Sequence, residues 1–237
     1  MTSHSILAII PARAGSKRLP KKNILKLAKK PLLAWTIEAA SKVRQIDEIV
    51  VSTDDKKIAE ISKNFGAKIP YLRPKALATD EAKTVDVVLD VVNYYNEKLN
   101  RKFDVVIVLQ PTSPLRKAKD IKNALNFFLK KKANAVISVC ETDHSPKWAN
   151  KLPKNLSMNS FLKSEVINTR SQDLEKYYRL NGAIYIIKTE RLLVDENLFP
   201  KKKSFAFIMP PLRSIDIDTE IDFNLAEIII KKRKSFK

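Results

Sequence analysis

Short apolar runs alternate along the chain with longer segments in which apolar residues recur at helical spacing. The runs are rich in β-branched residues and predict strands at residues 6–10, 48–52, 68–72, 105–109, 135–139, 183–187 and 205–208. The periodic segments predict helices at residues 32–42, 56–64, 84–97, 118–130 and 219–231. Strands that alternate with helices are typical of a mostly parallel sheet flanked by helices, so we expect an α/β fold.

Residues at the ends of two of these segments support the prediction. Asp54 and Asp55 precede the helix at 56–64 as candidate caps, and Gly66 follows it as a candidate stop. The run at 105–109 is apolar throughout, which is typical of a strand covered on both faces of a sheet.

One part of the chain, residues 141–178, breaks the alternation. It is polar, weakly periodic and interrupted by Pro146 and Pro153. This composition predicts an insertion that leaves the core, either as a long surface loop or as a sugar-side lid or subunit-contact arm. Its apolar residues favour burial against another surface, and they include Trp148, Leu152, Leu156 and Phe161.

The overall composition is that of a single globular domain over residues 1–237, with 44% hydrophobic residues. The single cysteine, Cys140, excludes an internal disulfide framework, and two scattered histidines do not make a metal site. The first apolar run has only five residues and is preceded by polar ones, so we expect neither a signal peptide nor a membrane span. We therefore expect a cytoplasmic protein.

The formal net charge of +19 makes nucleic-acid or membrane binding a competing hypothesis. Many of the lysines, however, occur in runs at segment ends, as at 130–132 and 201–203. Charge in such places is usually solvated, and positive charge is favourable at the C-terminal ends of helices. We therefore expect no nucleic-acid partner and no membrane partner.

The loop after the first predicted strand carries the strongest candidate chemistry. Between residues 9 and 23 it reads IIPARAGSKRLPKKN, with five cations and no acidic residue before Glu38. Such a field favours an anionic ligand, and the loop lies at the strand end where open α/β sheets bind ligands. Arg13 and Lys17 are the best candidates for phosphate ligands. Lys22 follows the bend at Leu19-Pro20, and we expect this bend to bring its side chain back to the same site as a further phosphate ligand.

Backbone N–H groups of this loop form a candidate anion nest at Ala14, Gly15 and Ser16. Gly15 is one of three glycines in the chain, so we expect it to adopt a positive φ or to approach a ligand closely. The spacing is neither GxxxxGK[ST] nor GxGxxG, so neither a P-loop nor a dinucleotide fold is indicated. The alternative is a plain basic loop.

A second motif, QPTSPLR, occupies residues 110–116 directly after the apolar strand. Gln110, Thr112 and Ser113 can make hydrogen bonds. The guanidinium group of Arg116 can donate two parallel hydrogen bonds to a carboxylate or a phosphate. The alternative is a well-formed connection from strand to helix in which Thr112 or Ser113 is a cap.

A third motif, RSIDIDTE, occupies residues 213–220 and places Asp216 and Asp218 on one face of an extended segment. Two carboxylates that face a polyphosphate loop suit Mg²⁺, which takes one or two protein carboxylates together with phosphate oxygens and water. The alternative is that Asp218 or Thr219 merely caps the last helix, which leaves Asp216 unexplained.

Taken together, these motifs resemble the acylneuraminate cytidylyltransferases, also called CMP-sialic acid synthetases. The resemblance runs from about residue 6 to residue 226 and includes PAR-x-GSK-x-LP-x-KN, QPTSPLR, R-x-NGAIYI and SIDIDTE-x-DF. It implies a Rossmann-like α/β core, a homodimer formed by the arm at about 141–178, and CMP transfer from CTP to a sialic acid. That reaction depends on Mg²⁺ and releases pyrophosphate after in-line attack of the anomeric hydroxyl on the α-phosphorus.

The resemblance also implies roles for individual residues. The catalytic residues are Arg13, Lys22, Asp216 and Asp218, and Asp216 and Asp218 hold the metal. The CTP-binding residues are Arg13, Ala14, Gly15, Ser16, Lys17, Lys22, Asn23, Arg73 and Thr84. The sugar-binding residues are Gln110, Thr112, Ser113, Arg116, Lys147, Arg170, Tyr185 and Phe199.

Two positions depart from the family pattern. Ser171 stands where many relatives carry an arginine, although Arg170 is adjacent, and Leu198 replaces an aromatic residue in the pocket wall. The expected substrate is an acidic nine-carbon sugar of the N-acylneuraminate type. Legionaminic, pseudaminic and 3-deoxy-manno-octulosonic acids are alternatives, and a basic nucleic-acid-binding protein is the alternative of a different class.

Overall fold

The computed structural model describes the chain from residue 4 to residue 235, and its side chains to residue 232. The first three and last two residues of the predicted domain lie outside this range. The strands are β1 (Ile6–Pro11), β2 (Lys26–Leu27), β3 (Lys30–Pro31), β4 (Glu48–Ser52), β5 (Val105–Val108), β6 (Ala135–Glu141), β7 (Tyr178–Lys188) and β8 (Ser204–Ile208). The α-helices are α1 (Leu32–Ser41), α2 (Lys56–Asn64), α3 (Thr84–Lys98), α4 (Ala118–Lys131), α5 (Thr189–Asp195) and α6 (Glu220–Ser235).

Within the described residues the main sheet has six strands in the order β4-β1-β5-β7-β6-β8. β1 pairs in parallel with β4 and β5, and β6 pairs in parallel with β8. β7 runs antiparallel to both of its neighbours, β5 and β6. The predicted α/β fold with a mostly parallel sheet is confirmed.

Alternating residues of β1 face two separate layers of the core. Ile6, Ala8 and Ile10 pack with side chains of α1, α2 and α4 on one face of the sheet. Leu7 and Ile9 pack with α3 and α5 on the other face. Burial on both faces explains why the central strands are continuous apolar runs.

One predicted strand was wrong, and three elements were not predicted, namely β2, β3 and α5. Residues 68–72 form no strand, because after the bridge between Lys68 and Val50 the chain turns away at Pro70. α5 was not predicted, since only Thr189 and Leu192 of its seven residues are buried and its helical period is short. Helix α2, in contrast, has the predicted bounds and ends at Gly66, whose φ is +90°.

The predicted insertion leaves the sheet at the ends of β6 and β7. Glu141 pairs with Tyr178, so residues 142–177 begin and end side by side. This segment, hereafter the arm, contains 3-10 turns at Pro146–Trp148, Ser164–Val166 and Ser171–Asp173. Among the described residues, no helix has the length and apolar character needed to cross a membrane.

Candidate active site

A cavity of about 480 Å³ opens where β1 and β5 end, beside the first turn of α3. This is the edge of the sheet at which open α/β folds bind ligands, and the volume suits a small molecule. It is lined by residues from each of the three predicted motifs, including Arg13, Ser16, Lys17, Lys22, Asn23, Gln110, Thr112 and Asp218. The structure therefore brings the basic loop, the turn after β5 and the segment before α6 to one place.

Arg13 and Lys17 share a carboxylate that the sequence analysis missed. Asp80 Oδ1 lies 2.6 Å from Arg13 Nη2, and Asp80 Oδ2 lies 2.6 Å from Lys17 Nζ. Arg13 Nη1 also donates a hydrogen bond of 2.5 Å to the Thr79 carbonyl. Hydrogen bonds from Lys17 and Arg13 lower the pKa of Asp80, so this carboxylate is held in its charged form.

Lys22 joins the basic loop to the segment before α6. Its Nζ donates to the Ile217 carbonyl at 2.6 Å and lies 3.0 Å from Asp218 Oδ1, and its side chain is only 12% exposed. Arg18 Nη1 lies 3.2 Å from the other oxygen of Asp218. Asp218 therefore faces the cationic loop, as predicted, and does not cap α6.

The cap of α6 is Thr219. Its hydroxyl donates a 2.7 Å hydrogen bond to the Asp222 carboxylate, and the Thr219 backbone N–H donates to the same oxygen at 2.8 Å. In return, the Asp222 backbone N–H donates to Thr219 Oγ1 at 3.4 Å, and this reciprocal arrangement satisfies N–H groups at the start of the helix. The carboxylate of Asp218 is thus left available to the cavity.

Asp216 lies close to Asp218 but deeper in the protein. Burial raises its pKa and the neighbouring charge of Asp218 raises it further, while a hydrogen bond from the Thr112 side chain lowers it, for a net increase. Its Oδ1 is buried and has no hydrogen-bond partner. A buried carboxylate oxygen without a hydrogen-bond partner is suited to bind a cation.

Mg²⁺ fits this donor set only in combination with a ligand. Among the described residues, no three or more His, Cys, Asp or Glu side chains are grouped so as to hold a metal ion. The protein offers the two carboxylates of Asp216 and Asp218. The remaining coordination would come from phosphate oxygens and water, as is usual for Mg²⁺.

The backbone of the basic loop differs from the predicted anion nest. Ala14 N–H donates to Asp54 Oδ1 at 2.9 Å, so this donor is already used. Asp54 therefore fastens the loop, while the α2 cap is Asp55, which accepts from Ile58 N at 2.8 Å. Gly15 does not have a positive φ, so that half of the expectation was wrong. A Cβ built on Gly15 meets nothing within 4 Å, and the close approach of a ligand to this residue stays a prediction.

Three further residues predicted to bind the nucleotide belong to the wall of the cavity. Arg73, Asn23 and Thr84 all line the cavity. Arg73 is buried and donates to Ser52 Oγ at 3.0 Å and to the Leu77 carbonyl at 3.2 Å. Asn23 donates to the Arg13 carbonyl at 2.9 Å, whereas its buried Oδ1 has no partner and could accept a hydrogen bond from a ligand.

The turn after β5 is divided between the cavity and the interior. Gln110 and Thr112 line the cavity, but Ser113 is fully buried. Arg116 is also buried, and its guanidinium donates to Thr36 Oγ1 at 2.7 Å and to the Ala183 carbonyl at 2.6 Å. Burial lowers the pKa of Arg116 to about 9, with Asp120 acting in the opposite direction. The structure therefore places Arg116 inside the framework and not at the predicted sugar site.

An irregularity in the pairing of β6 and β7 brings Gly182 against this turn. The register shifts between Ile137 and Val139, and Gly182 has a φ of +68°. A Cβ at Gly182 would lie 2.6 Å from Gln110 Oε1 and 3.8 Å from Asp216 Oδ2. The absence of a side chain thus permits Gln110 and Asp216 to lie close together.

Besides Ser113 and Arg116, four further predicted sugar-binding residues do not line this cavity. Lys147 and Arg170 lie in the arm, where Lys147 is 3.7 Å from Glu175. Tyr185 is buried in β7, and its ring centroid lies 5.9 Å from that of Phe199. Phe199 lines a second cavity with Asn134, Lys201 and Lys202, beside the start of β6.

Arg179 is a further charged residue near the site. It is exposed on β7 and lowers the pKa of Asp216, which burial raises. It is the first residue of the motif R-x-NGAIYI, to which the family resemblance assigns no role at this position. The sequence feature that points to Arg179 as a site residue is its position at the start of that motif, two residues before the buried Asn181.

Comparison with known proteins gives the chemical class of this site. Residues 7–235 match the family model described as cytidylyltransferase. The chain belongs to this family. The resemblance inferred from the motifs is therefore confirmed, and the cavity with its converging cations and carboxylates is the candidate active site of a cytidylyltransferase.

Several relatives are similar over most of the chain. The chain is 39% identical over 232 residues to a CMP-N,N'-diacetyllegionaminic acid synthase of Legionella pneumophila, covering 95% of this chain and 96% of that one. It is 35% identical to a pseudaminic acid cytidylyltransferase of Campylobacter jejuni, with 95% and 96% covered. It is 34% identical to an N-acylneuraminate cytidylyltransferase of Escherichia coli, covering 98% of this chain and 54% of that protein.

Solved structures show the same fold at lower sequence identity. A CMP:2-keto-3-deoxy-manno-octonic acid synthetase complexed with CTP has a TM-score of 0.71 and 19% identity, covering 97% of this chain and 99% of that chain. A 4-diphosphocytidyl-2C-methyl-D-erythritol synthase from Anaerococcus prevotii has a TM-score of 0.66 and 17% identity, with 97% and 99% covered. The predicted Rossmann-like α/β fold is thus confirmed.

Proposed function

We propose that this cytidylyltransferase transfers CMP from CTP to an acidic nine-carbon sugar of the sialic acid class, with release of pyrophosphate. The observation that carries the proposal is the convergence of Arg13, Lys17 and Lys22 on one cavity with Asp218 at its wall. The family match and the named substrates of the relatives supply the nucleotide and the kind of acceptor.

In the proposed reaction the anomeric hydroxyl oxygen of the sugar attacks the α-phosphorus of CTP in line. The bond from this phosphorus to the oxygen of the leaving group breaks, and pyrophosphate departs with the electron pair. Negative charge grows on the transferring phosphoryl group and on the pyrophosphate. Arg13, Lys17 and Lys22 face that charge from a fixed loop, so their stabilisation requires little rearrangement during the step.

We propose Asp216 and Asp218 as the protein ligands of Mg²⁺. The unpartnered, buried Oδ1 of Asp216 supports this assignment. When bound, the ion supplies positive charge to the phosphates and lowers the repulsion that an attacking oxygen meets. Lys22, which contacts Asp218, keeps that carboxylate at the cavity wall.

The acceptor has two candidates within the same class. N-acylneuraminate follows from the motifs, and the relative named for it is 34% identical. N,N'-diacetyllegionaminic acid is favoured by the 39% identity to the synthase named for it. The aromatic pair Tyr185 and Phe199, expected at the sugar, lies outside the described cavity and does not distinguish these two acceptors.

We further propose that the enzyme works as a homodimer in the cytoplasm. Apolar side chains of the arm are more than half exposed, namely Leu152, Leu156, Met158 and Ile167, which supports an interface there. The single cysteine, Cys140, is buried and free, which suits a reducing compartment.

A pyrophosphate-release assay with CTP, Mg²⁺ and a panel of acids tests the function. The panel contains N-acetylneuraminic, N,N'-diacetyllegionaminic, pseudaminic and 3-deoxy-manno-octulosonic acids. We expect release with a nine-carbon acid and none with CTP alone. No release with any acid, combined with salt-dependent binding to polynucleotides, would favour the nucleic-acid alternative.

The Asp216→Asn variant tests the metal assignment. We expect CMP transfer to fall at least a hundredfold, because a neutral amide is a poor ligand for Mg²⁺, while the circular dichroism spectrum stays unchanged. Glu60→Gln removes one charge from the exposed side of α2 and is the matched control. Full turnover of Asp216→Asn at limiting Mg²⁺ would contradict the assignment.

A further inference from the structure

Asp80 contacts two of the loop cations that line the cavity, Arg13 and Lys17. Each of its oxygens lies 2.6 Å from a different cation, Oδ1 from Arg13 and Oδ2 from Lys17. Asp80 belongs to neither the basic loop nor the other two motifs, and it lies 67 residues from Arg13 in the chain. It lines the same cavity as both cations.

The two cations differ in how firmly the rest of the protein holds them. The Lys17 side chain is 82% exposed, and Asp80 is the partner that fixes its end. A long exposed lysine without a partner occupies many rotamers, and a ligand that orders it must offset that loss of entropy. Arg13 is held at one nitrogen by Asp80 and at the other by the Thr79 carbonyl. Its guanidinium has five N–H donors, so donors remain for a ligand.

The segment that carries Asp80 also connects to the nucleotide side of the cavity. It follows the 3-10 turn Lys75–Leu77 and leads into α3, whose first residue Thr84 lines the cavity. The contacts of Asp80 thus connect the basic loop to the cavity wall that the start of α3 forms. Preordered charges of this kind stabilise a ligand or transition state better than charges that must be arranged during binding.

We propose that Asp80 is a positioning residue that holds Arg13 and Lys17 toward the triphosphate of CTP. The inference rests on the proposed function, because it takes CTP as the ligand. Asp80 acts through the two cations and does not touch the reacting atoms. The opposite role for the same contacts is a carboxylate that competes with the phosphates for Arg13 and Lys17, and the two roles predict opposite changes in CTP affinity.

The test compares wild type with Asp80→Asn, Asp80→Glu and Glu81→Gln, using calorimetric titration with CTP and steady-state kinetics. We expect Asp80→Asn to raise the dissociation constant for CTP and the KM for CTP about tenfold, the range of one charge-assisted hydrogen bond. The KM for the acid should stay within twofold. Asp80→Glu should recover most of the loss, and Glu81→Gln, an exposed neighbour outside the cavity lining, should behave as wild type.

A double-mutant cycle shows whether Asp80 acts through Lys17. In the Lys17→Ala background, Asp80→Asn should weaken CTP binding by clearly less than it does in the wild type. Equal losses in both backgrounds, unchanged CTP affinity in Asp80→Asn, or tighter CTP binding would each overturn the proposal. If wild type itself binds no CTP, the proposed function fails instead, so the two failures are distinct.

Discussion

At the scale of single residues, the site depends on close contacts between side chains that are far apart in sequence. Lys22 lies between the Ile217 carbonyl and Asp218, across 195 and 196 residues. Asp216 is left with a buried oxygen that no protein donor satisfies. The proposed Mg²⁺ site would use this oxygen, because its missing partner would arrive with the metal and the triphosphate.

Gly182→Ala is expected to impair both stability and activity. The methyl group would strain a φ of +68° and overlap Gln110 Oε1 at 2.6 Å. We expect a loss of about 1–2 kcal/mol in the free energy of unfolding. Displacement of Gln110 should also lower kcat/KM for the acid about tenfold. Urea denaturation and the pyrophosphate assay measure the two effects.

Gly66→Ala is the matched control for this change. Gly66 also has a positive φ, +90°, but a Cβ there meets nothing within 4 Å, and the residue ends α2 outside the cavity lining. It should lose stability and keep its kinetic constants. If Gly182→Ala affected only stability, the contact with Gln110 would have no part in catalysis.

At the scale of secondary-structure elements, buried polar side chains determine how the turns lie relative to the helices. Arg116 joins the turn after β5 to Thr36 on α1 and to Ala183 on β7. Arg213 makes a two-point contact with Asp120 at the start of α4, at 2.9 and 2.8 Å. Asn181 donates to Ser214 Oγ at 2.9 Å, and these contacts together hold the Asp216 segment against the sheet.

Arg116→Lys is expected to reduce stability without changing substrate affinity. An ammonium group cannot reproduce the planar fork that reaches both Thr36 and Ala183, so buried acceptors lose their donors. We expect the free energy of unfolding to fall by about 1–3 kcal/mol, measured by urea denaturation at constant m-value. Lys117→Arg, an exposed neighbouring position, is the control.

The kinetic result of Arg116→Lys distinguishes two roles. The framework role leaves the KM values for CTP and for the acid within twofold of wild type. A large rise in the KM for the acid at unchanged stability would restore the sugar-binding role expected from the motif QPTSPLR.

At the scale of the whole molecule, the nucleotide cavity and the arm occupy different parts of the structure. The cavity uses the ends of β1 and β5, while the arm leaves the ends of β6 and β7. Lys147 and Arg170, both expected at the sugar, lie in the arm and do not line the cavity. A second copy of the chain is one way to place such residues beside a substrate, which links the proposed dimer to the proposed activity.

Leu156→Asp is expected to shift the protein from dimer to monomer. Leu156 is 69% exposed in the arm, and a charge there would be costly to bury in an interface. Val194→Asp, at a residue 72% exposed on α5, is the matched control and should remain dimeric. Sedimentation velocity at micromolar concentration measures the outcome. Wild-type protein that sediments as a monomer would contradict the proposal directly.

The sequence by itself determined most elements of the fold and the members of the cationic loop. Strands buried on two faces and helices buried on one leave periodic apolar patterns, and these patterns located β1, β4, β5 and α2. The helix cap at Asp55 and the helix end at Gly66 could also be predicted, because both depend only on residues that are neighbours in the sequence. The family motifs likewise lie in continuous stretches of chain.

Only the tertiary structure decided which charges face one another. Asp80 meets Arg13 and Lys17, Asp54 takes the Ala14 N–H, and Arg116 turns into the interior, each through contacts between distant segments. A local pattern gives the type of a side chain and its place on an element, whereas its partner depends on how loops from several strands converge. For that reason the loop was predicted to bind phosphate from its composition, while the carboxylate that orients its cations emerged from the fold.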